Sequence, residues 1–165
     1  MESLRWFSAE MARKGIPQTT RILESAIVFP PARVAECLKI TEDTRVFYLR
    51  RLRQLNDRPF MVDRHFIPHH LCAGIETKDL QNASLYKTLV EEYHFDLHHG
   101  WREFQPVTLA SKEESDLLEI FPATPILLVE STVCARDGMP LDYFEAKILG
   151  KFTAEIVNAQ ELSGW

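Results

Sequence analysis

Three arginines lie close together in the chain, and their type and spacing suit the binding of an anion. Arg51 and Arg53 are two residues apart in an apolar stretch, so on a β-strand their side chains point to the same face. Phe47 and Leu49 share that face, whereas Arg50 points to the other one. Two guanidinium groups among apolar neighbours are costly to bury unless they meet negative charge, and each matches a carboxylate or phosphate through paired hydrogen bonds. The pattern therefore predicts an anion site formed by Arg51 and Arg53.

An internal explanation for the same two arginines stays open. They pair with Asp63, Glu130 or Asp142 from neighbouring predicted strands, or they lie on a solvated face. Ser84 favours the anion site, because it directly precedes the helical run that begins at Leu85 and is a good N-cap. A helix N-terminus presents free backbone N–H groups and the positive end of its dipole, which suit the same anion.

The six histidines fall into two clusters. The first cluster brings together side chains that metal ions prefer, namely Asp63, His65, His69, His70 and Cys72. Pro68 interrupts the strand inside this cluster, so we expect surface histidines and no metal site. We keep Asp63 and His65 as candidate ligand-binding residues. In the second cluster, His94, His98 and His99 flank a helix end that we predict near Gly100, where imidazole groups cap carbonyls.

Motifs for catalysis or cofactor binding are missing from the sequence. The chain has no Gly-x-Ser-x-Gly segment, its six glycines form no phosphate loop, and its three cysteines form no Cys-x-x-Cys pair. Asp142 and Glu145 carry suitable groups for acid–base chemistry, but residues three apart on a strand point to opposite faces. We therefore expect neither an enzyme nor a cofactor, and we retain both carboxylates as candidate ligand contacts.

An internal repeat of 80 residues predicts the elements that position these groups. Each copy has an extended stretch, a short helix and two strands joined by a turn, and one residue is inserted at Gly138 of the second copy. The predicted helices cover residues 31–38, 84–93 and 112–118, and the predicted strands cover residues 45–55, 60–67, 126–135 and 141–149. Turn clusters at residues 56–59 and 136–138 join the strands. The fold class predicted is α+β, a mostly antiparallel β-sheet with helices and internally duplicated halves.

The composition excludes several classes of protein. The 165 residues carry 24 acidic and 19 basic side chains, for a net charge of −5, and 45% of them are hydrophobic. This describes a soluble chain with one core. An acidic chain without lysine or arginine runs is not expected to grip DNA phosphates. We find no apolar stretch long enough for a bilayer and no signal peptide, so we expect a cytoplasmic protein without a membrane partner.

Six short motifs in a fixed order carry a resemblance to a known family. They are Phe-Ser-Ala-Glu-Met-Ala-Arg-Lys-Gly at residues 7–15, Arg51-Leu52-Arg53 followed by Pro59, Phe66-Ile67-Pro68, Ser84-Leu85-Tyr86, Thr-Pro-Ile-Leu at residues 124–127, and Asp-Gly-Met-Pro-Leu-Asp-Tyr at residues 137–143. In this order they resemble the UTRA domain, the effector-binding domain of the HutC subfamily of GntR-type bacterial transcription regulators. The resemblance covers nearly the whole chain and implies the fold of chorismate lyase, which has internal pseudo-symmetry.

The resemblance also implies roles for individual residues. In members that sense amino-sugar phosphates, an Arg-x-Arg strand and a Ser-x-Tyr segment hold the phosphate, which points here to Arg51, Arg53, Ser84 and Tyr86. An acidic residue after the Gly-x-Pro turn contacts the sugar, and Asp142 holds that position. Members often end the last hairpin with an aromatic residue and Arg-Gly-Asp, whereas residues 148–151 here are Ile-Leu-Gly-Lys. A less polar or carboxylate effector is therefore as well supported as a sugar phosphate.

Domain order and partners follow from the same resemblance. We expect residues 1–165 to form a single effector-binding domain, with the family's N-terminal winged helix-turn-helix absent from this chain and DNA contacted only through it. A small anionic effector and a second copy in a homodimer are the expected partners. Two alternatives remain: a chorismate lyase-like enzyme acting on a dicarboxylate, and a structural dimerisation domain whose arginines are internally paired.

Overall fold

A computed structural model describes residues 15–81, 83–108 and 111–150, with Thr108 described by its backbone alone. Within these ranges the elements are β1 (Gln18–Val28), α1 (Ala32–Leu38), β2 (Val46–Leu55), β3 (Arg58–Pro68), α2 (Leu85–Tyr93), β4 (Leu97–Thr108), α3 (Lys112–Leu118), β5 (Pro125–Ala135) and β6 (Pro140–Ile148). Two short 3-10 turns, His69–Leu71 and Ile75–Thr77, lie between β3 and α2. The motif at residues 7–14 and Lys151 lie outside the described residues.

The strands form one antiparallel sheet in the order β1-β2-β3-β6-β5-β4, which is symmetrical about its centre. The helix α1 follows β1 as α3 follows β4, and the two helices are 80 residues apart at both ends. Arg64 pairs with Glu145 across the sheet, and Glu145 is also the residue equivalent to Arg64 in the second copy of the repeat. An internal twofold axis therefore passes between β3 and β6 through this pair. The predicted fold, a mostly antiparallel sheet with duplicated halves, is confirmed.

Two tight turns set the register of the hairpins. Asn56 and Asp57 join β2 to β3 with φ angles of 49° and 60°. A two-residue hairpin loop of type I′ requires this left-handed conformation at both positions, and Asn and Asp tolerate it. Gly138 has a φ angle of 86° between β5 and β6, and its N–H donates to the carbonyl oxygen of Ala135 at 3.0 Å. The turn chemistry read from the sequence thus fixes which side chains face each other across the sheet.

Helices cover both faces of the sheet. On the face that we call the front, Phe47, Leu49 and Ile67 pack with Leu85 and Leu89 of α2. The opposite face, the back, is covered by α1 and α3. Its apolar side chains form two clusters, one with α1 and one with α3, which contain Val34, Leu38, Val46, Phe66 and Tyr143, and Leu52, Val62, Leu118 and Ile126, respectively.

The back helices cross between the two halves. The helix α1 of the first half packs on β6, and α3 of the second half packs on β3. Each half therefore supplies the helix that covers the other, which binds the halves into one core. No helix among the described residues is long and apolar enough to cross a membrane.

The helix end predicted near Gly100 is wrong. The helix α2 ends at Tyr93, and His94 follows it in the left-handed conformation with a φ angle of 58°. Gly100 lies instead in the edge strand β4, where a Cβ atom would sit 2.4 Å from the carbonyl oxygen of Thr132. The strand lacks the alternation of a half-buried strand, because most of its residues are exposed. That explains why the sequence pattern did not delimit it.

Gly100→Ala is expected to lower the free energy of unfolding by about 1–3 kcal/mol, because the new methyl group must displace the backbone of β5. Urea unfolding followed by circular dichroism measures this difference. Glu103→Ala, at an exposed position on the same strand, is the control and is expected to change stability by less than about 0.5 kcal/mol. Equal stability of Gly100→Ala and the unaltered chain would show that the strands do not approach this closely.

Candidate functional site

The two arginines of the predicted anion site lie on the front face, near the centre of the sheet. Arg51 is 5% exposed and Arg53 is 9% exposed. Both point to the side of β2 that carries Phe47 and Leu49, as the alternation predicts. Asp63 stands directly opposite Arg51 on the neighbouring strand β3 and is 1% exposed. A buried carboxylate therefore meets these arginines inside the chain.

Asp63 pairs mainly with Arg51. The Nε and Nη2 atoms of Arg51 donate to the two carboxylate oxygens at 2.9 and 3.0 Å, in a bidentate arrangement. Arg53 is farther from the same carboxylate, with 3.6 Å between Nη1 and Oδ2. Its Nη2 donates instead to the side-chain oxygen of Gln18 at 3.1 Å. The internal pairing that the sequence left open is thus present, and it favours Arg51 over Arg53.

Burial and charge act against each other in this group. Burial opposes ionisation of Asp63, but the charge and hydrogen bonds of Arg51 and the charge of Arg53 outweigh it and lower the pKa of the carboxyl group. Burial lowers the pKa of Arg53, and the like charge of Arg51 lowers it further against the attraction of Asp63. The two guanidinium groups therefore share one carboxylate and repel each other at short range.

His65 extends the network toward the second half of the sheet. Its Nε2 lies 3.0 Å from Nη2 of Arg51, and its Nδ1 lies 2.8 Å from Oδ2 of Asp142. Because a guanidinium group only donates, the tautomer with the proton on Nδ1 satisfies both contacts. The Tyr86 hydroxyl donates to the same oxygen of Asp142 at 2.6 Å. The expectation of a surface histidine is wrong for His65. It is 1% exposed, and its ring contacts the buried charged side chains of Arg51 and Asp142.

Asp142 keeps one unused acceptor. The residue is 0% exposed, and its Oδ2 accepts from both His65 and Tyr86. Its other oxygen, Oδ1, is buried and has no hydrogen-bond partner among the residues that the structure describes. Buried carboxylate oxygens are almost always paired. An unpaired one on this face suits a ligand that donates a hydrogen bond.

Arg102 brings a third guanidinium group to the front face. The sheet register sets Arg102 opposite Ser131, Ser131 opposite Phe144, and Phe144 opposite His65. Residues opposite each other in a sheet point to the same face, so Arg102 shares the face of His65. Sequence reasoning missed Arg102, because the strand that carries it was not delimited.

Electrostatics link Arg102 to the same group. Burial and the negative charge of Asp142 raise the pKa of Tyr86 well above its usual value, while the charges of Arg102 and Arg51 act in the opposite sense. Burial also lowers the pKa of Arg102. We call the assembly of Arg51, Arg53, Asp63, His65, Tyr86, Arg102 and Asp142 the front-face cluster.

Two predicted site residues lie apart from the front-face cluster. Ser84 is exposed and caps α2, with its hydroxyl oxygen accepting from the Lys87 N–H at 3.4 Å, so the predicted N-cap is confirmed. Glu145 lies on the back face and accepts from Nη2 of Arg64 at 2.7 Å. Asp142 and Glu145 therefore point to opposite faces, as predicted. The described residues contain no group of three or more metal-binding side chains that could hold an ion.

Comparison with known proteins identifies the family. The family model described as the UTRA domain matches residues 13–151. The chain belongs to the UTRA domain family. Among curated relatives, the HTH-type transcriptional repressor NagR of Bacillus subtilis is 21% identical over 150 residues, which cover 91% of this chain and 61% of NagR. The chain thus spans less than two thirds of that regulator.

Solved structures show the same fold. The effector domain of PhnF from Mycobacterium smegmatis superposes with a TM-score of 0.84 at 15% identity, covering 92% of this chain and 94% of that chain. A GntR-family transcriptional regulator from Enterococcus faecalis V583 gives a TM-score of 0.76 at 23% identity, covering 84% of this chain and 100% of that chain. The UTRA domain described here therefore has the chorismate lyase-like fold of such effector domains.

Asp63→Asn is expected to lower the free energy of unfolding by about 3–5 kcal/mol, because it leaves the buried charge of Arg51 without its counter-charge. Urea unfolding at neutral pH measures the change. Asp57→Asn in the exposed turn between β2 and β3 is the matched control, since Asn also tolerates the left-handed conformation there. A loss no larger than that of the control would contradict a buried ion pair at Asp63.

The stability of this UTRA domain is expected to fall as the solution becomes acidic. The pKa of Asp63 is lower in the folded chain than its usual 3.8, so the folded state binds fewer protons than the unfolded state. The stabilisation is complete above the usual value and is lost as the pH falls through the folded-state pKa. Urea unfolding between about pH 3 and pH 6 measures this slope. Asp63→Asn should flatten the slope, and an unchanged slope would assign the acid sensitivity to other carboxylates.

Proposed function

We propose that this chain is the effector-sensing domain of a GntR-type transcription regulator of the HutC subfamily, and that its effector is a small anionic metabolite. The front-face cluster is the proposed binding site. An effector with one anionic end and one hydroxyl group, such as a sugar phosphate or a hydroxycarboxylate, fits the groups that the cluster presents.

The repulsion between the two arginines of β2 carries the proposal. Arg51 already has a bidentate partner in Asp63, whereas the nearest oxygen of that carboxylate lies 3.6 Å from Arg53. Burial and the charge of Arg51 both disfavour the charged form of Arg53. A bound anion next to Arg53 removes part of this cost, and this gain is what supports the proposal.

The other end of the effector is assigned to Asp142. The unpaired Oδ1 of this buried carboxylate accepts a hydrogen bond from an effector hydroxyl group, while its Oδ2 stays held by His65 and Tyr86. Arg102 faces the same side of the sheet and supplies a further positive charge. Because these groups come from both halves of the duplicated fold, the effector bridges the two halves.

Regulation then follows from linkage. An effector that prefers one arrangement of the domains shifts the equilibrium toward it by its difference in affinity for the two states. In the proposed regulator, DNA is contacted by a helix-turn-helix domain, in keeping with the name of the relative NagR, and the active form is a homodimer. The chain binds its ligand without catalysis, which is consistent with relatives that are named as regulators.

Titration with anionic metabolites is expected to raise the melting temperature of the unaltered chain. The panel contains glucosamine 6-phosphate, N-acetylglucosamine 6-phosphate, citrate and chorismate. Arg53→Gln should weaken binding of the stabilising anion by about tenfold or more, because a charged hydrogen bond is lost. Arg21→Gln removes an exposed arginine on the back side of β1 and is the matched control, with unchanged affinity expected.

Two outcomes would contradict this function. Stabilisation that is the same in Arg53→Gln and in Arg21→Gln would place the anion elsewhere. Release of 4-hydroxybenzoate and pyruvate from chorismate, with steady turnover, would assign the front-face cluster to a lyase.

A further inference from the structure

The back face holds a cavity beneath α3, on the side of the sheet opposite to the front-face cluster. Its volume is about 360 Å³, within the lower range of pockets that bind small molecules. Tyr48 and Val62 form part of its wall, and the rest of the lining is mainly charged. The charged side chains are Arg50, Arg64, Glu113, Glu114, Glu145 and Lys147.

The internal twofold axis explains why this space is open. Beneath α1, the equivalent space is filled by the rings of Phe66 and Tyr143, whose centroids are 6.2 Å apart. The counterpart of Tyr143 in the other half is Val62, and the counterpart of Phe66 is Lys147. The cavity beneath α3 therefore lies where Val62 and Lys147 stand in place of these two rings, with Tyr48 in its wall.

The floor of the cavity is polar, whereas the equivalent surface beneath α1 is apolar. Beneath α1, Val34 packs in the same apolar cluster as Phe66. The counterpart of Val34 is Glu114, and its carboxylate accepts from Nζ of Lys147 at 2.6 and 2.7 Å. An apolar contact in one half is thus an ion pair in the other, and the cavity lining carries equal numbers of positive and negative side chains.

A matching pair of opposite charges stands at the end of each space. Beneath α1, the Tyr143 hydroxyl donates to Glu130, which also accepts from Nη2 of Arg33 at 2.9 Å. The counterparts of Glu130 and Arg33 are Arg50 and Glu113, which form an ion pair at 2.8 Å. Beneath α1 the strand carries the carboxylate and the helix carries the guanidinium group. Beneath α3 the strand carries the guanidinium group and the helix carries the carboxylate.

We propose that the cavity beneath α3 is a second small-molecule site and that its ligand is a small phenol. The ring occupies the space that Tyr143 fills in the other half. The phenolic hydroxyl donates to Glu113 and accepts from Arg50. Arg64, whose buried Nε has no hydrogen-bond partner among the described residues, lines the same cavity.

The direct test is titration of the 165-residue chain with p-cresol, which is the tyrosine side chain as a free molecule, followed by amide chemical shifts. Saturable shifts at Tyr48, Val62 and Lys147 are expected. Toluene is the matched probe without the hydroxyl group. It should bind at least about tenfold more weakly, because it makes no hydrogen bond with Arg50 or Glu113. Lack of saturable p-cresol binding, or equal affinity for the two probes, would overturn the proposal.

Two variants localise the binding. Val62→Tyr supplies the missing ring from the chain itself, so it should abolish p-cresol binding while the melting temperature stays equal or rises. Arg50→Gln should weaken p-cresol binding by about tenfold, whereas Arg21→Gln should leave it unchanged. If Val62→Tyr does not fold, the comparison of Arg50→Gln with Arg21→Gln decides, and equal affinities there would overturn the site.

The second site is separable from the proposed anion site. Arg53→Gln acts on the front face and should leave p-cresol affinity unchanged while it weakens anion binding. If the unaltered chain binds p-cresol but none of the anions, the front-face proposal alone fails. If it binds an anion but not p-cresol, the phenol site alone fails.

Discussion

The buried ion pair between Arg51 and Asp63 is the interaction around which the front face is arranged. Two charges on adjacent central strands are costly in this environment unless they hold each other in bidentate geometry, as they do. The pair leaves Arg53 with the weaker contact to Asp63, and it orients His65, whose Nδ1 proton then serves Asp142. At the proposed site an effector would meet groups that are already held in place, which lowers the entropy lost on binding.

The two faces of the duplicated sheet carry different candidate sites. The twofold axis through Arg64 and Glu145 relates the halves, and the crossed helices α1 and α3 lock them together. On the front face, the second half contributes Asp142 and Arg102 to the front-face cluster, whose other strand residues come from β2 and β3 of the first half. On the back face, the halves differ in whether Tyr143 or a smaller side chain, Val62, fills the space beneath the helix. The back-face candidate site therefore lies where equivalent positions of the two halves differ.

Much of this fold follows from the sequence, because its local signals agree. The 80-residue repeat predicted α3 at its observed ends, and the Asn56-Asp57 turn predicted the hairpin of β2 and β3. Alternation along β2 correctly placed Arg51 and Arg53 on one face. The extended stretch of the second copy, β4, was predicted without bounds because most of its residues are exposed, and Arg102 was missed with it. The network through His65 depends on which strands are neighbours, and a single sequence does not state that β3 pairs with β6.

Binding of an anion by the arginines of the front-face cluster is tested most directly by their own Nε–H resonances. In a titration of the chain with inorganic phosphate at constant ionic strength, we predict saturable shifts of the Nε–H signals of Arg53 and Arg102. The signals of Arg33 and Arg50, which lie on the back face, should stay in place. Uniform, non-saturable drift of all four signals would show instead that the front face has no specific anion site.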